Sequence, residues 1–388
     1  MNPRIMCYVQ HLVGTGHQWR VAAISQAMCQ RRMEVTYVSG GFPVPHLDIG
    51  PARFVQLPPA RSADMRYKTL VDEHGRPVDD NWMAVRRSAL LETFRRCQPD
   101  VLLIETFPFG RRLLRFELLP LLDAALGSCR RPYIVCSVRD ILENRSKPGR
   151  NEEIVKLVNR YFDLVLVHSD ADIVPFHATF PLADCISPKL CYTGYVMRSR
   201  DNSELTAAGT GEVIVSAGGG IVGEHLLRVA MKARSLSTLA RVPWRILAGH
   251  NLPATKFASL RAQAPDGITI ERNRADFAVL VRCCALSISQ GGYNTILEVL
   301  DSGVCAVVVP YADEHENEQT LRARLLADRG LIELVDSHTL TPSRLARAVD
   351  MAVNRPRSTR SAIDMNGAST TARLIAENVM QRRNAVSV

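Results

Sequence analysis

SQGGYNTILEVLDSG, residues 289–303, decides how the chain is read. One apolar run, residues 285–288, leads into it, and another, residues 304–309, leaves it. Short apolar runs of this kind suit buried strands, and the segment between them has the length and spacing of a helix. A buried strand that opens onto Gly291-Gly292 and passes directly into a helix is the turn expected in a parallel sheet. Glycines there let the backbone approach a neighbour or ligand closely, and Asn294 and Thr295 can cap or line the helix start. Glu298 follows Asn294 by four residues, so the two share a helix face. As a carboxylate it only accepts hydrogen bonds and could hold a vicinal diol such as a ribose 2′,3′ pair. Alternatively, it simply complements the helix dipole.

The same alternation extends in both directions. In the first half, strand-like runs fall at residues 4–9, 34–39, 101–105, 133–138 and 164–168, with helical stretches at 18–31, 85–96 and 111–126 between them. In the second half, strand-like runs fall at 213–216, 244–248, 268–271, 285–289, 305–310 and 332–335. RSRDNSELTAAGTGE, residues 198–212, is polar, carries two glycines and lacks an apolar period, so it reads as a linker. The expected organisation is two α/β units with doubly wound parallel sheets. They are a first domain at residues 1–197 and a second at 213–370, with a final helix within 371–388 that could pack back on the first. Ligands of such sheets bind beyond the carboxyl ends of the strands, so the chemistry is sought there.

Composition limits the alternatives. The 388 residues are 46% hydrophobic and 22% charged, enough for two cores and ordinary for a folded enzyme. The net charge is +9, much of it in arginine pairs of the first half: Arg86-Arg87, Arg95-Arg96, Arg111-Arg112 and Arg130-Arg131. These read as a solvated basic face. No nucleic-acid motif and no interleaved aromatics accompany them, so nucleic acid is not an expected partner. The ten cysteines form no C-x-x-C pair, which suits reduced thiols in the cytoplasm and gives no zinc spacing. The N-terminus has no long apolar core of a leader, and no stretch reaches the length of a membrane span. RRLLRFELLPLLDAAL, residues 111–126, could be a basic-apolar surface helix in peripheral contact with a membrane. A core helix with an arginine edge is the simpler reading.

Two more glycine loops follow strands. VGTGHQWR, residues 13–20, sets Gly14 and Gly16 before His17 at a helix start. Its spacing is not G-x-G-x-x-G and no acid ends the second strand, so a dinucleotide fingerprint is not met. SAGGGIVGEH, residues 216–225, places Gly218, Gly219 and Gly220 where backbone N–H groups could face a phosphate. Beyond the strand after Glu298 comes the polar stretch PYADEHENEQ, residues 310–319, whose Glu314, Glu318 and Gln319 suit sugar hydroxyls.

Taken in order, GTGH, SAGGG and the stretch from SQGGYNT to LLADRG resemble the family-28-type, peptidoglycan N-acetylglucosaminyltransferase-like glycosyltransferases of the GT-B fold. The resemblance implies a nucleotide-sugar donor, most simply a UDP-sugar, and an acceptor it does not identify. By position, Gly218, Gly219, Gly220, Gly291 and Gly292, with Asn294 and Thr295, would line the donor diphosphate. Glu298 would hold the ribose, and Glu314, Glu318 and Gln319 the donor sugar. Gly14 and Gly16 would approach the diphosphate and reacting carbon beside His17. Two departures stand out: the N-terminal loop is the shorter G-T-G-H, and the polar pair reads Glu-Gln where the family has Gln-Gln.

The chemistry so implied is inverting transfer at the anomeric carbon, with His17 as general base. Glycine-loop amides and helix N-termini would carry the leaving diphosphate, with no metal or other cofactor. GTGHQWR also resembles the start of the nucleotide-sugar hydrolases of pseudaminic acid synthesis, in which water takes the acceptor's place. A non-catalytic sugar-nucleotide-binding protein is the third alternative.

Overall fold

A computed structural model describes residues 2–12, 14–64, 68–142, 148–197, 209–218, 223–311, 318–355 and 363–386. Contacts divide the chain into two compact units, Met1–Arg200 with Asp364–Val388, and Asp201–Ile363.

The first unit runs β1 (Arg4–Val9), α1 (Gly16–Gln30), β2 (Glu34–Ser39), β3 (Arg53–Gln56), β4 (Arg61–Ser62), β5 (Leu70–Val71) and α2 (Asp80–Cys97). It continues with β6 (Val101–Glu105), α3 (Arg115–Leu126), β7 (Tyr133–Arg139), α4 (Arg150–Tyr161), β8 (Leu164–His168) and β9 (Leu190–Tyr192). Seven of these strands form one sheet in the order β3-β2-β1-β6-β7-β8-β9, parallel throughout. β1 is central and covered on both faces, which is why RIMCYV is apolar without alternation. Met6 and Tyr8 face a core shared with Leu118, Leu121 and Leu122 of α3, while Ile5, Cys7 and Val9 face Val21 and Ile24 of α1.

The second unit runs β10 (Val213–Ser216), α5 (Glu224–Ala233), β11 (Trp244–Ala248), α6 (Ala254–Ala262), β12 (Ile268–Arg272), α7 (Phe277–Cys283) and β13 (Leu286–Ser289). It ends with α8 (Tyr293–Ser302), β14 (Ala306–Val308), α9 (Glu318–Asp328), β15 (Glu333–Leu334) and α10 (Pro342–Asn354). Its sheet has the order β12-β11-β10-β13-β14-β15, again parallel. Thr341 caps α10 through Arg344 N, with Pro342 in the first turn where its missing N–H costs nothing.

The last helix, α11 (Gly367–Val386), belongs to the first unit. Ala372, Ile375 and Val379 complete the core beside α1. Its approach is fixed by the Tyr195 N to Asp364 O bond of 2.7 Å and by an antiparallel bridge between Val196 and Asn366. Residues 364–370 therefore join the first unit rather than the second, to which the sequence reading assigned them. Most of the linker, residues 198–208, lies outside the described residues.

The basic-face reading fails at two places. Arg86 is fully buried. Its Nε donates to Glu117 Oε2 at 2.7 Å, Nη2 to Glu117 Oε1 at 2.9 Å and to Gln10 Oε1 at 2.7 Å, and Nη1 to Gly40 O at 2.7 Å. Arg111 is nine-tenths buried beside Glu105. Residues 115–126 form a core helix, with Leu118, Leu121, Leu122 and Ala125 inaccessible, which answers the surface-helix alternative. Among the described residues, no helix is long and apolar enough to cross a membrane. All ten cysteines are free thiols.

Candidate functional site

Each sheet reverses its strand order once, between β1 and β6 in the first unit and between β10 and β13 in the second. A crevice opens at the carboxyl ends of such a pair because the two connections leave to opposite faces. The quoted glycine loops leave from these strands. Ser216 and Ser289, the last residues of β10 and β13, are register partners.

In the first unit, the loop after β1 delivers His17 in the first turn of α1. A Cβ placed on Gly14 or Gly16 would meet nothing within 4 Å, so the protein's own packing does not demand glycine at either position. The residue that completes this group, Glu105, escaped the sequence reading. It ends β6 and is fully buried. His17 Nδ1 lies 2.6 Å from Glu105 Oε1. Arg20, one turn further along α1, and the Thr106 hydroxyl both donate to that same oxygen.

A carboxylate only accepts, so the Nδ1 facing it carries the proton, and Nε2 is left with a lone pair. Nε2 makes no hydrogen bond among the described residues, and 18% of the His17 side chain is exposed. Burial drives the His17 pKa down to about 3. Glu105 opposes the shift, while Arg111 and Arg20 reinforce it. Glu105 itself is held well below the usual carboxylate range: burial works against its charge, but His17, Arg20 and Arg111 outweigh that. The outcome is a fixed anion beside a neutral, oriented imidazole.

The surrounding shell is also polar. His11 follows β1, accepts at Nδ1 from Gln18 Nε2 at 3.1 Å, and is pushed down to about 4 by burial and by Arg111. His168 ends β8, bracketed by Ser137 Oγ at 2.7 Å and Thr193 Oγ1 at 2.8 Å.

In the second unit, Gly291 has φ of +75° and its missing Cβ would lie 2.6 Å from Val308 Cγ1. Backbone sign and close approach both require glycine there. Gly292 is the N-cap of α8 and offers no side chain to its N–H groups, so the positive end of that helix is open to an anion. Asn294 is exposed, Thr295 half-buried, and Glu298 half-buried one turn further on. Gly218 has φ of +65° and its carbonyl accepts from Asn273 Nδ2 at 2.9 Å. Gly219, Gly220 and Glu314 lie outside the described residues.

Glu318 and Gln319 open α9. Arg322 is buried, donates to Glu318 Oε1 at 2.7 Å and lies 5.2 Å over the Tyr293 ring. Gln319 Oε1 accepts from Tyr311 N at 3.2 Å, which fixes the amide so that its NH2 points away from that contact.

Residues 255–379 match the glycosyltransferase family 28 C-terminal domain. The fold is GT-B, and the family match covers most of the second unit and runs on into α11. Over 98% of its length this GT-B chain is similar to the calicheamicin glycosyltransferase CalG4, covering 99% of that chain at 16% identity and a TM-score of 0.68. It is similar over 97% of its length to MurG of Acinetobacter baumannii, covering 100% of that chain at 18% identity and a TM-score of 0.61. Two curated relatives are UDP-N-acetylglucosamine–N-acetylmuramyl-(pentapeptide) pyrophosphoryl-undecaprenol N-acetylglucosamine transferases. The protein from Desulforudis audaxviator is 32% identical over 27% of this chain and 28% of its own length. That from Acinetobacter baylyi is 29% identical over 35% of this chain and 38% of its own length. The matched stretch thus spans about a third of these relatives.

Proposed function

We propose that this protein transfers a sugar from a nucleoside diphosphate donor, UDP-linked, to a hydroxyl acceptor, inverting the anomeric carbon without a metal. The observation that carries the reading is the His17–Glu105 pair: a neutral imidazole with Nε2 open, held at the strand reversal of a GT-B unit. The family-28 match of the second unit and the UDP-sugar named in its relatives support the donor class.

In this mechanism the acceptor oxygen attacks the anomeric carbon as its proton passes to His17 Nε2. The glycosidic bond to the diphosphate breaks, and the leaving diphosphate takes the electron pair. Glu105 stabilises the imidazolium that forms. In the second unit, the open N-terminus of α8 and the Gly218 and Gly291-Gly292 turns offer N–H donors to the diphosphate. Glu298 accepts from the ribose, while Gln319 and the Arg322-anchored Glu318 face the sugar.

A second reading rests on the same His17, with water as the acceptor. Incubating the purified protein with UDP-sugars and no acceptor separates the two. Release of free sugar at the full rate of turnover would establish hydrolysis and end the transferase assignment. Release only when an acceptor fraction is supplied supports transfer.

A further inference from the structure

Glu105 uses one oxygen for three donors and leaves the other bare. Oε2 is buried and has no hydrogen-bond partner. Arg111 Nη2 lies 3.8 Å from it and is itself buried without a hydrogen-bond partner. A donor and an acceptor, each orphaned and each facing the other, are costly unless their charges hold one another. Arg111 is anchored from behind, since its Nε donates to Gln10 O at 2.7 Å. The backbone is also strained to place it. Arg111 has φ of +61° and Thr106, β-branched, has φ of +67°, and both side chains bear on Glu105. Two non-glycine residues in the left-handed region within one short loop mark a conformation kept for what it positions.

We infer that Arg111 is a positioning residue that shares the Glu105 carboxylate with Arg20 and His17, and so sets the charge and orientation of the imidazole. Arg20 arrives from α1 and saturates Oε1 with His17; Arg111 arrives from the loop after β6 and faces Oε2. The remaining titratable groups of this shell are His11 after β1, Tyr37 on β2, Cys136 on β7 and His168 at the end of β8. Arg20 also keeps a buried Nε without a partner, but its Nη2 already donates to Oε1, whereas Arg111 faces Oε2 and makes no hydrogen bond to the carboxylate. Its removal takes a cation from beside both His11 and His17, so each takes a proton more readily. The catalytic meaning of this rests on the proposed role of His17, but its test needs no turnover.

The experiment follows the histidine ring carbons by NMR in the ligand-free full chain from about pH 8 to about pH 4, with His17 assigned through His17→Gln. In Arg111→Gln the onset of His17 protonation rises by about one pH unit relative to wild type, while Arg111→Lys, which keeps the charge, stays near wild type. Should the Gln variant not fold, Arg111→Met keeps the apolar stem and reads the same shift. An unchanged His17 titration in the neutral variants overturns the inference. So does a Lys variant that titrates like the neutral ones.

Discussion

His17 and Glu298 differ in how each can be tested. Because burial puts His17 in its neutral form down to about pH 3, protonation of this base does not fall within the neutral range. The expected profile of kcat/KM against pH is level between about pH 6 and about pH 8, with any loss from His17 confined to more acid solution. A limb centred near the ordinary histidine value, relieved in a His17 variant, would contradict the structure around Glu105. Glu298→Ala should weaken UDP binding by about 1–3 kcal/mol, the range for a lost hydrogen bond to a charged group. Calorimetry giving an unchanged dissociation constant would remove Glu298 from the nucleotide site. Of these residues, His17 stands after a glycine loop, where its position alone suits a capping or core histidine as well; only the family resemblance points to a base. Glu105 was not read, although VLLIE offered the signal: a single acid closing an otherwise apolar buried strand.

At the scale of elements, the central strands were legible because double burial leaves continuous apolar runs. β1, β2, β6, β8, β10 and β11 occupy the residues expected of them. The missed elements are those where that signal is weak. β3 (RFVQ) is half exposed and β9 is three residues long at the sheet edge. α4 was passed over although Ile154, Val158 and Tyr161 mark one buried face at helical spacing. Long-range pairing was invisible too, since Arg86 on α2 finds Glu117 on α3, thirty-one residues away. That pair joins two helices to Tyr8 of β1, whose hydroxyl donates to Glu117. Arg86→Met leaves the buried Glu117 without its cation and should cost about 3–5 kcal/mol in urea unfolding. Replacing both residues by apolar ones should cost less than the single change. A loss below about 1 kcal/mol for Arg86→Met would show that the network contributes little.

At the scale of the molecule, the two-unit order could be read from two runs of alternating strands and helices separated by a polar stretch. The return of the chain was harder to place. Its entry at Asp364 depends on backbone pairing with Tyr195 and Val196, which no composition reveals. The first unit also buries three histidines in neutral form: His11, shifted to about 4, and His17 and His168, each shifted to about 3, with burial the leading cause in all three. Their folded values lie below the unfolded one, so the unfolded chain binds more protons in acid. Stability should therefore fall progressively as pH drops below about 6.5. A thermal midpoint that holds constant from about pH 7 to about pH 5 would contradict that burial.

The role of His17 as the base that turns over a UDP-sugar in a GT-B site is open to direct test. Its most direct measurement is UDP release from a panel of UDP-sugars supplied with an acceptor-containing cell extract, wild type against His17→Ala, with UDP binding measured on both. Wild type should release UDP, whereas His17→Ala should bind UDP as wild type does and release almost none. Release by His17→Ala at the wild-type rate, or the absence of UDP-sugar binding by wild type, would contradict it.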